Sequence, residues 1–229
     1  MITVDLPGFG LSPPVQPGTP PTPAGFARIL ADFLREIGHD AAHVAGNSVG
    51  GWTALEMAKL GATRSVVALS PAGLWKGDAP LYNVLSLRGT RRLSRLFDPL
   101  MPALLSRPLG RKLMMWQTFA HPDRVPPHAA VEAARAFARS PGFDEHLNAT
   151  IRERFSSGRS IAIPVTVAFG ERDRLLLRGQ SRHREELPPH TRWIELAGCG
   201  HVPTYDDPGL VAEVLLEGSA LADRPAASP

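Results

Sequence analysis

The chain has 229 residues, 43% hydrophobic and 21% charged, enough for one well-buried domain and short for two. A formal net charge of +3 is too small for the single-sign field of a nucleic-acid-binding domain. Cys199 is the single cysteine, which excludes an intramolecular disulfide and fits a cytoplasmic setting.

Met1 runs directly into Ile2-Thr3-Val4-Asp5, with no basic region or small-residue cleavage site, so no secretory signal is expected. No apolar run approaches the roughly 18 residues of a membrane helix, so no membrane association is expected either. Ile2 to Leu6 is short, β-branched and apolar and ends at Pro7-Gly8, the pattern of a strand entering a turn. Prolines 13, 14, 17, 20, 21 and 23 make the next stretch an extended connector. From Ala24, the spacing of Phe26, Ile29, Leu30, Phe33, Leu34 and Ile37 predicts a helix stopped by Gly38. Ala42–Gly46 reads as a strand, Gly50–Leu60 as a helix closed by Gly61, and Ser65–Leu69 as a further strand.

Between about Trp75 and Ser160, helical patterns and prolines continue without a convincing strand. Pro164–Gly170 and Thr191–Leu196 restore the strand pattern, and a last helix covers about Gly209–Leu216. Alternating strands and helices predict an α/β fold, a mostly parallel sheet with helices on both faces. The expected organisation is a core of residues 1–74 and 161–219, a helical insertion at 75–160, and a disordered tail at 220–229.

Gly46-Asn47-Ser48-Val49-Gly50 is a G-x-S-x-G sequence between a predicted strand and a predicted helix. That context holds a serine on a tight turn, with glycines where side chains would crowd it. The helix N-terminus beside it directs N–H groups toward a developing oxyanion, the Val49 N–H first among them. A serine nucleophile needs a base, and the base needs an orienting acid. Asp173 follows the Val165–Phe169 strand, with Glu171 as a competitor, and His201 follows the Trp193–Leu196 strand in a glycine-flanked loop. Loops at the C-terminal edge of a parallel sheet converge, so these residues can meet.

His39, His43, His121, His128, His146, His183 and His190 lie in polar or proline-rich surroundings and read as surface residues. Cys199 has no base arranged for it and reads as a small space-filler, and Asp5 reads as a turn-stabilising residue. Eight Lys/Arg at 76, 88, 91, 92, 95, 107, 111 and 112 face only Asp78 and Asp98. They could attract a carboxylate substrate, but a solvated helix face is the plainer reading. No metal constellation or phosphate-binding loop is visible, and no cofactor is expected.

With these residues in view, the chain resembles the cap-bearing bacterial members of the α/β-hydrolase superfamily. The matching segments are Asp5-Leu6-Pro7-Gly8-Phe9-Gly10-Leu11-Ser12, Gly46-Asn47-Ser48-Val49-Gly50-Gly51, Gly170-Glu171-Arg172-Asp173 and Gly200-His201-Val202-Pro203. The resemblance implies Ser48 as nucleophile, His201 as base, Asp173 as its partner, and residues 75–160 as a cap. In that family three strands and a helix precede the Asp-Leu-Pro-Gly-Phe-Gly segment, and a His-Gly loop among them supplies a second oxyanion donor. The segment ends the fourth strand of that family, and this sequence begins inside that strand, so the first strands are expected to be missing. The principal expectation is a serine hydrolase of esters or related carbonyl compounds. A truncated, non-catalytic fragment is the alternative. A third is a carbon–carbon bond hydrolase of ring-cleavage products, to which Gly46-Asn47-Ser48 is similar. Serine at position 48 argues against dehalogenase or epoxide-hydrolase chemistry, which in this fold uses a carboxylate there.

Overall fold

The computed structural model describes residues 1–223. Among them four strands form one parallel sheet in the order β1 (Ala42–Asn47), β2 (Thr63–Leu69), β3 (Val165–Gly170), β4 (Arg192–Leu196). The two inner strands are the most apolar, and every residue of β3 is buried, as expected for a strand covered on both faces. The period-two alternation divides their side chains cleanly. Val66, Ala68, Val165, Val167 and Phe169 point to one face, where they pack with Trp52 and Leu55. Val67, Leu69, Ala168 and Leu196 point to the other, where Val211 and Val214 meet them.

The first face is covered by α2 (Val49–Lys59), with α1 (Pro23–Glu36) packed beside it through Ala27, Ala31 and Met57. Helix α1 starts at Thr22, whose hydroxyl accepts the Gly25 N–H, with Pro23 in the first turn. It stops where Gly38 takes φ +85°, the left-handed conformation that ends many helices. The second face is covered by α9 (Pro208–Ala220), capped by the Asp207 carboxylate on the Leu210 N–H. A Cβ on Gly218 would come within 2.4 Å of Val67 Cγ2, so this glycine sets how closely α9 approaches the sheet.

Between β2 and β3 lie α3 (Leu81–Leu96), α4 (Met101–Leu105), α5 (Pro108–Met114), α6 (Pro127–Arg139) and α7 (Phe143–Thr150). Met101, Leu105, Met115, Phe119, Val125 and Ala130 give this helical layer its own apolar cluster. A short α8 (Arg178–Ser181), which the pattern did not predict, follows β3. Helix α9 reaches Ala220, and the rest of the expected tail beyond Asp223 lies outside the described residues.

The strand expected at Ile2–Leu6 does not form. Ile2 and Val4 are exposed, and although the outer edge of β1 is free, these residues do not pair with it. The segment instead folds into turns around Asp5. The Asp5 carboxylate accepts the Leu11 N–H at 2.9 Å, and its carbonyl accepts the Ser12 hydroxyl at 2.8 Å. Gly10 is required there, because a Cβ would sit 2.2 Å from the Asp5 carboxylate.

Candidate active site

Ser48 sits between the end of β1 and the start of α2 with φ 56° and ψ −116°, a strained backbone for a residue with a side chain. Surrounding bonds hold it there. Its N–H donates to Leu69 O at 2.9 Å, and its carbonyl accepts the Trp52 and Ala72 N–H groups, both at 3.1 Å. Of the flanking glycines, Gly46 is required by space, since a Cβ would lie 2.3 Å from the Gly50 backbone. Gly51 is less crowded, a Cβ there lying 3.1 Å from Gly46 O and Pro71 Cβ, a contact a small shift relieves. Gly50 is not crowded: nothing lies within 4 Å of a Cβ there, which corrects the expectation that both motif glycines relieve the turn. Val49 opens α2, so its N–H has no carbonyl one turn back within the helix and points out of the N-terminus.

Asp173 and His201 come together beyond the ends of β3 and β4. His201 Nδ1 lies 3.0 Å from Asp173 Oδ2, and the side chains are 4% and 0% exposed. The other Asp173 oxygen accepts the N–H groups of Leu175 at 2.9 Å and Leu176 at 2.8 Å. Burial opposes ionisation of Asp173. The His201 charge and hydrogen bond and the two amides outweigh it, holding the carboxyl below its usual range. A carboxylate acceptor fixes the imidazole proton on Nδ1 and leaves Nε2 as the basic nitrogen. Glu171 is spent elsewhere, accepting the Gly198 N–H at 2.8 Å.

Among the described residues, no hydrogen bond joins the Ser48 hydroxyl to His201. The link between the two runs through Asn47, whose amide donates to Leu69 O at 3.1 Å and to His201 O at 2.9 Å. Asn47 thus ties the serine turn to the histidine loop. Cys199 is fully buried, and burial with the nearby Asp206 and Asp207 charges raises its thiol to about 11. It cannot serve as a thiolate nucleophile near neutral pH.

Two buried residues escaped the sequence reading. Asp206 is 3% exposed, with one oxygen on the Gly200 and Ala120 N–H groups and the other on the His121 N–H. His146, expected at the surface, is 5% exposed and stacks on Phe26 at 5.4 Å. Of the eight basic residues, Lys76, Arg92, Arg95, Arg107 and Lys112 are exposed as expected of a solvated face, but two depart from that reading. Arg91 and Arg111 are buried and donate to the carbonyls of Phe137, Ser140, Leu105, Ser106 and Asp123. They close the ends of helices within the layer. Among the described residues, no three His, Cys, Asp or Glu side chains gather as metal ligands, and no helix is long and apolar enough to cross a membrane.

A parallel sheet flanked by helices, with a serine on a strained strand-to-helix turn, defines an enzyme of the α/β-hydrolase class. Residues 1–214 match the alpha/beta hydrolase family, and the chain belongs to it. It is 31% identical over 197 residues to the epoxide hydrolase EphH of Mycobacterium tuberculosis, covering 82% of this chain and 92% of that protein. Similar solved structures include a thermophilic esterase from Thermogutta terrifontis, at TM-score 0.64 and 19% identity over 93% of this chain and 76% of that one. Another is BphD, a 2-hydroxy-6-oxo-6-phenylhexa-2,4-dienoate hydrolase from Rhodococcus sp. strain RHA1. It superposes at TM-score 0.65 and 17% identity over 93% of this chain and 77% of that one. At these identities the two structures speak for the fold alone.

Proposed function

We propose that the chain is a serine hydrolase of esters or related carbonyl compounds, acting through an acyl-enzyme on Ser48. The observation that carries this reading is the placement of a strained serine at the N-terminus of α2 and a buried Asp173–His201 couple at the same end of the sheet. In this reading His201 Nε2 takes the Ser48 proton as the hydroxyl attacks the carbonyl carbon. The Val49 N–H receives the developing oxyanion, and the imidazolium, stabilised by Asp173, returns its proton to the leaving group. Water then cleaves the acyl-enzyme by the same exchange. The helical layer of residues 75–160 serves as the cap, excluding solvent from a small organic substrate.

The likeness to an epoxide hydrolase does not carry over as an activity. Opening an epoxide through a covalent enzyme intermediate requires a carboxylate nucleophile, whose ester water can then cleave. Attack by the Ser48 hydroxyl would leave an ether, which that second step cannot hydrolyse.

The test is labelling of the purified chain with a fluorophosphonate, alongside turnover of short-chain p-nitrophenyl esters. Labelling at Ser48 is expected, and Ser48→Ala should abolish it and lower ester turnover by at least about 1000-fold. Unchanged turnover in Ser48→Ala, or a folded wild type that never labels, would overturn the reading.

A further inference from the structure

We propose that Asp206 is a positioning residue that locks the His201 loop to the helical layer, so that the seating of that layer sets the aim of the imidazole. This deepens the serine-hydrolase reading and rests on it for its catalytic consequence.

The sequence before α9 carries one more acid than that helix needs. Asp206-Asp207-Pro208 places two acids before α9, and only one is needed there: Asp207 caps the helix through the Leu210 N–H. Asp206 turns the other way, into the protein, and is 3% exposed. A carboxylate buried to that degree must be satisfied by donors or it destabilises the fold. Its donors come from two separate parts of the molecule. Gly200 N–H reaches Oδ2 at 2.8 Å from the histidine loop, while Ala120 N–H reaches the same oxygen at 3.0 Å and His121 N–H reaches Oδ1 at 2.7 Å from the helical layer. Arg124 of that layer adds a bond to the Asp206 carbonyl at 2.7 Å.

Around this carboxylate the two parts are in backbone contact. Val202 N–H donates to Thr118 O at 2.9 Å, and a Cβ on Gly200 would lie 2.6 Å from Ala120 N. His201 is therefore fixed on both sides in sequence, through Gly200 and Val202, to residues 118–121. Its own carbonyl is held from the sheet side by Asn47. One residue thus receives its position from the sheet through Asn47 and from the helical layer through Asp206. A displacement of residues 118–121 relative to the sheet must pull on the histidine backbone, and misplacement by about 1 Å costs a general base roughly 100-fold in rate.

Asp206→Asn keeps the shape but turns one acceptor into a donor facing an N–H. Gly200→Ala leaves the carboxylate and forces the two segments apart from the other side. Both are measured against wild type by circular dichroism and thermal melting, by the rate of fluorophosphonate labelling at Ser48, by the kcat and KM of ester turnover, and by the proton resonance of the His201 Nδ1–H bonded to Asp173. At a temperature where each variant is fully folded, both should label at least about tenfold more slowly, with the loss in kcat rather than KM. The Nδ1–H resonance should shift or broaden. A folded Asp206→Asn with wild-type labelling and an unmoved resonance would overturn the proposal and leave Asp206 a packing residue. Should the wild type itself not label, the serine-hydrolase reading falls, and the resonance alone decides: unmoved refutes the positioning role, moved supports it. If Asp206→Asn does not fold, Gly200→Ala decides on the same readouts.

Discussion

Gly46 and Gly50 share a motif and should respond oppositely to the same methyl group. At Gly46 a Cβ would lie 2.3 Å from Gly50 backbone atoms, inside a turn fixed by the bonds of Ser48 to Leu69, Trp52 and Ala72. Gly46→Ala is expected to cost about 2–3 kcal/mol, since backbone rather than a flexible side-chain end must move. At Gly50 the same group meets open space in the first turn of α2, where alanine is the better helix former by up to about 1 kcal/mol. Gly50→Ala should be neutral or stabilising in urea unfolding, and a loss of more than about 1 kcal/mol would refute this account of the turn. The placement of the candidate residues was legible, because Ser48, Asp173 and His201 each follow a strand pattern that turn signals close, and the Asp173–His201 pairing follows from it. Asp206 was not, because two of its three amide donors, Ala120 and His121, lie more than 80 residues away in the chain and no local spacing announces them. The one available signal was that two acids precede a helix that needs one.

At the level of elements, His146 shows where sequence patterning fails. Polar Asp144, Glu145 and Asn148 surround it in α7, yet it lies against Phe9 at 5.7 Å and Phe26 at 5.4 Å and donates through Nδ1 to Pro21 O at 2.8 Å. One imidazole therefore joins the N-terminal turn, the start of α1 and the helical layer, and its burial is created by segments more than 100 residues away. Burial lowers its pKa from the ordinary 6.5, with the Pro21 hydrogen bond opposing the shift. As pH falls below 6.5 the unfolded chain takes up this proton before the folded one, so stability declines with acidification through that window. The unfolding midpoint should drop between pH 7.5 and 5.5, and His146→Gln, which can still donate to Pro21 O, should flatten that slope. An unchanged slope in the variant would assign the effect to other groups. The arginines repeat the lesson: Arg91 and Arg111 read as surface charge by their number, but their guanidinium groups are consumed by carbonyls at helix ends.

Across the whole molecule, protection falls from the inner strands of the sheet to its edges, and five strands were read where four formed among the described residues. Strands β2 and β3 are bonded on both sides, and their residues are covered by α2 on one face and α9 on the other. Strand β1 is bonded only to β2, and His43 and Ala45 on the α9 side of the sheet are exposed. Ile2–Leu6 has the composition of a strand, but a strand exists only when a neighbour completes its ladder, and pairing is not written in the segment itself. Local stability should follow this gradient, because backbone groups with few buried contacts open at lower free energy than those in the core. In native-state hydrogen exchange, amides of Val165–Gly170 and Val66–Leu69 are expected to exchange only by near-global unfolding. Those amides of Ala42–Gly46 that face away from β2, toward the free edge, should exchange at least about 100-fold faster, corresponding to an opening free energy roughly 3 kcal/mol lower. Ser48 stands at the end of that less protected strand but draws its own N–H bond from Leu69 and its carbonyl bonds from Trp52 and Ala72. Its amide should therefore be protected like β2 rather than like β1. Fast exchange at Ser48 would mean that the strained turn opens with the edge strand, and slow exchange would mean that the inner sheet holds the serine independently of it.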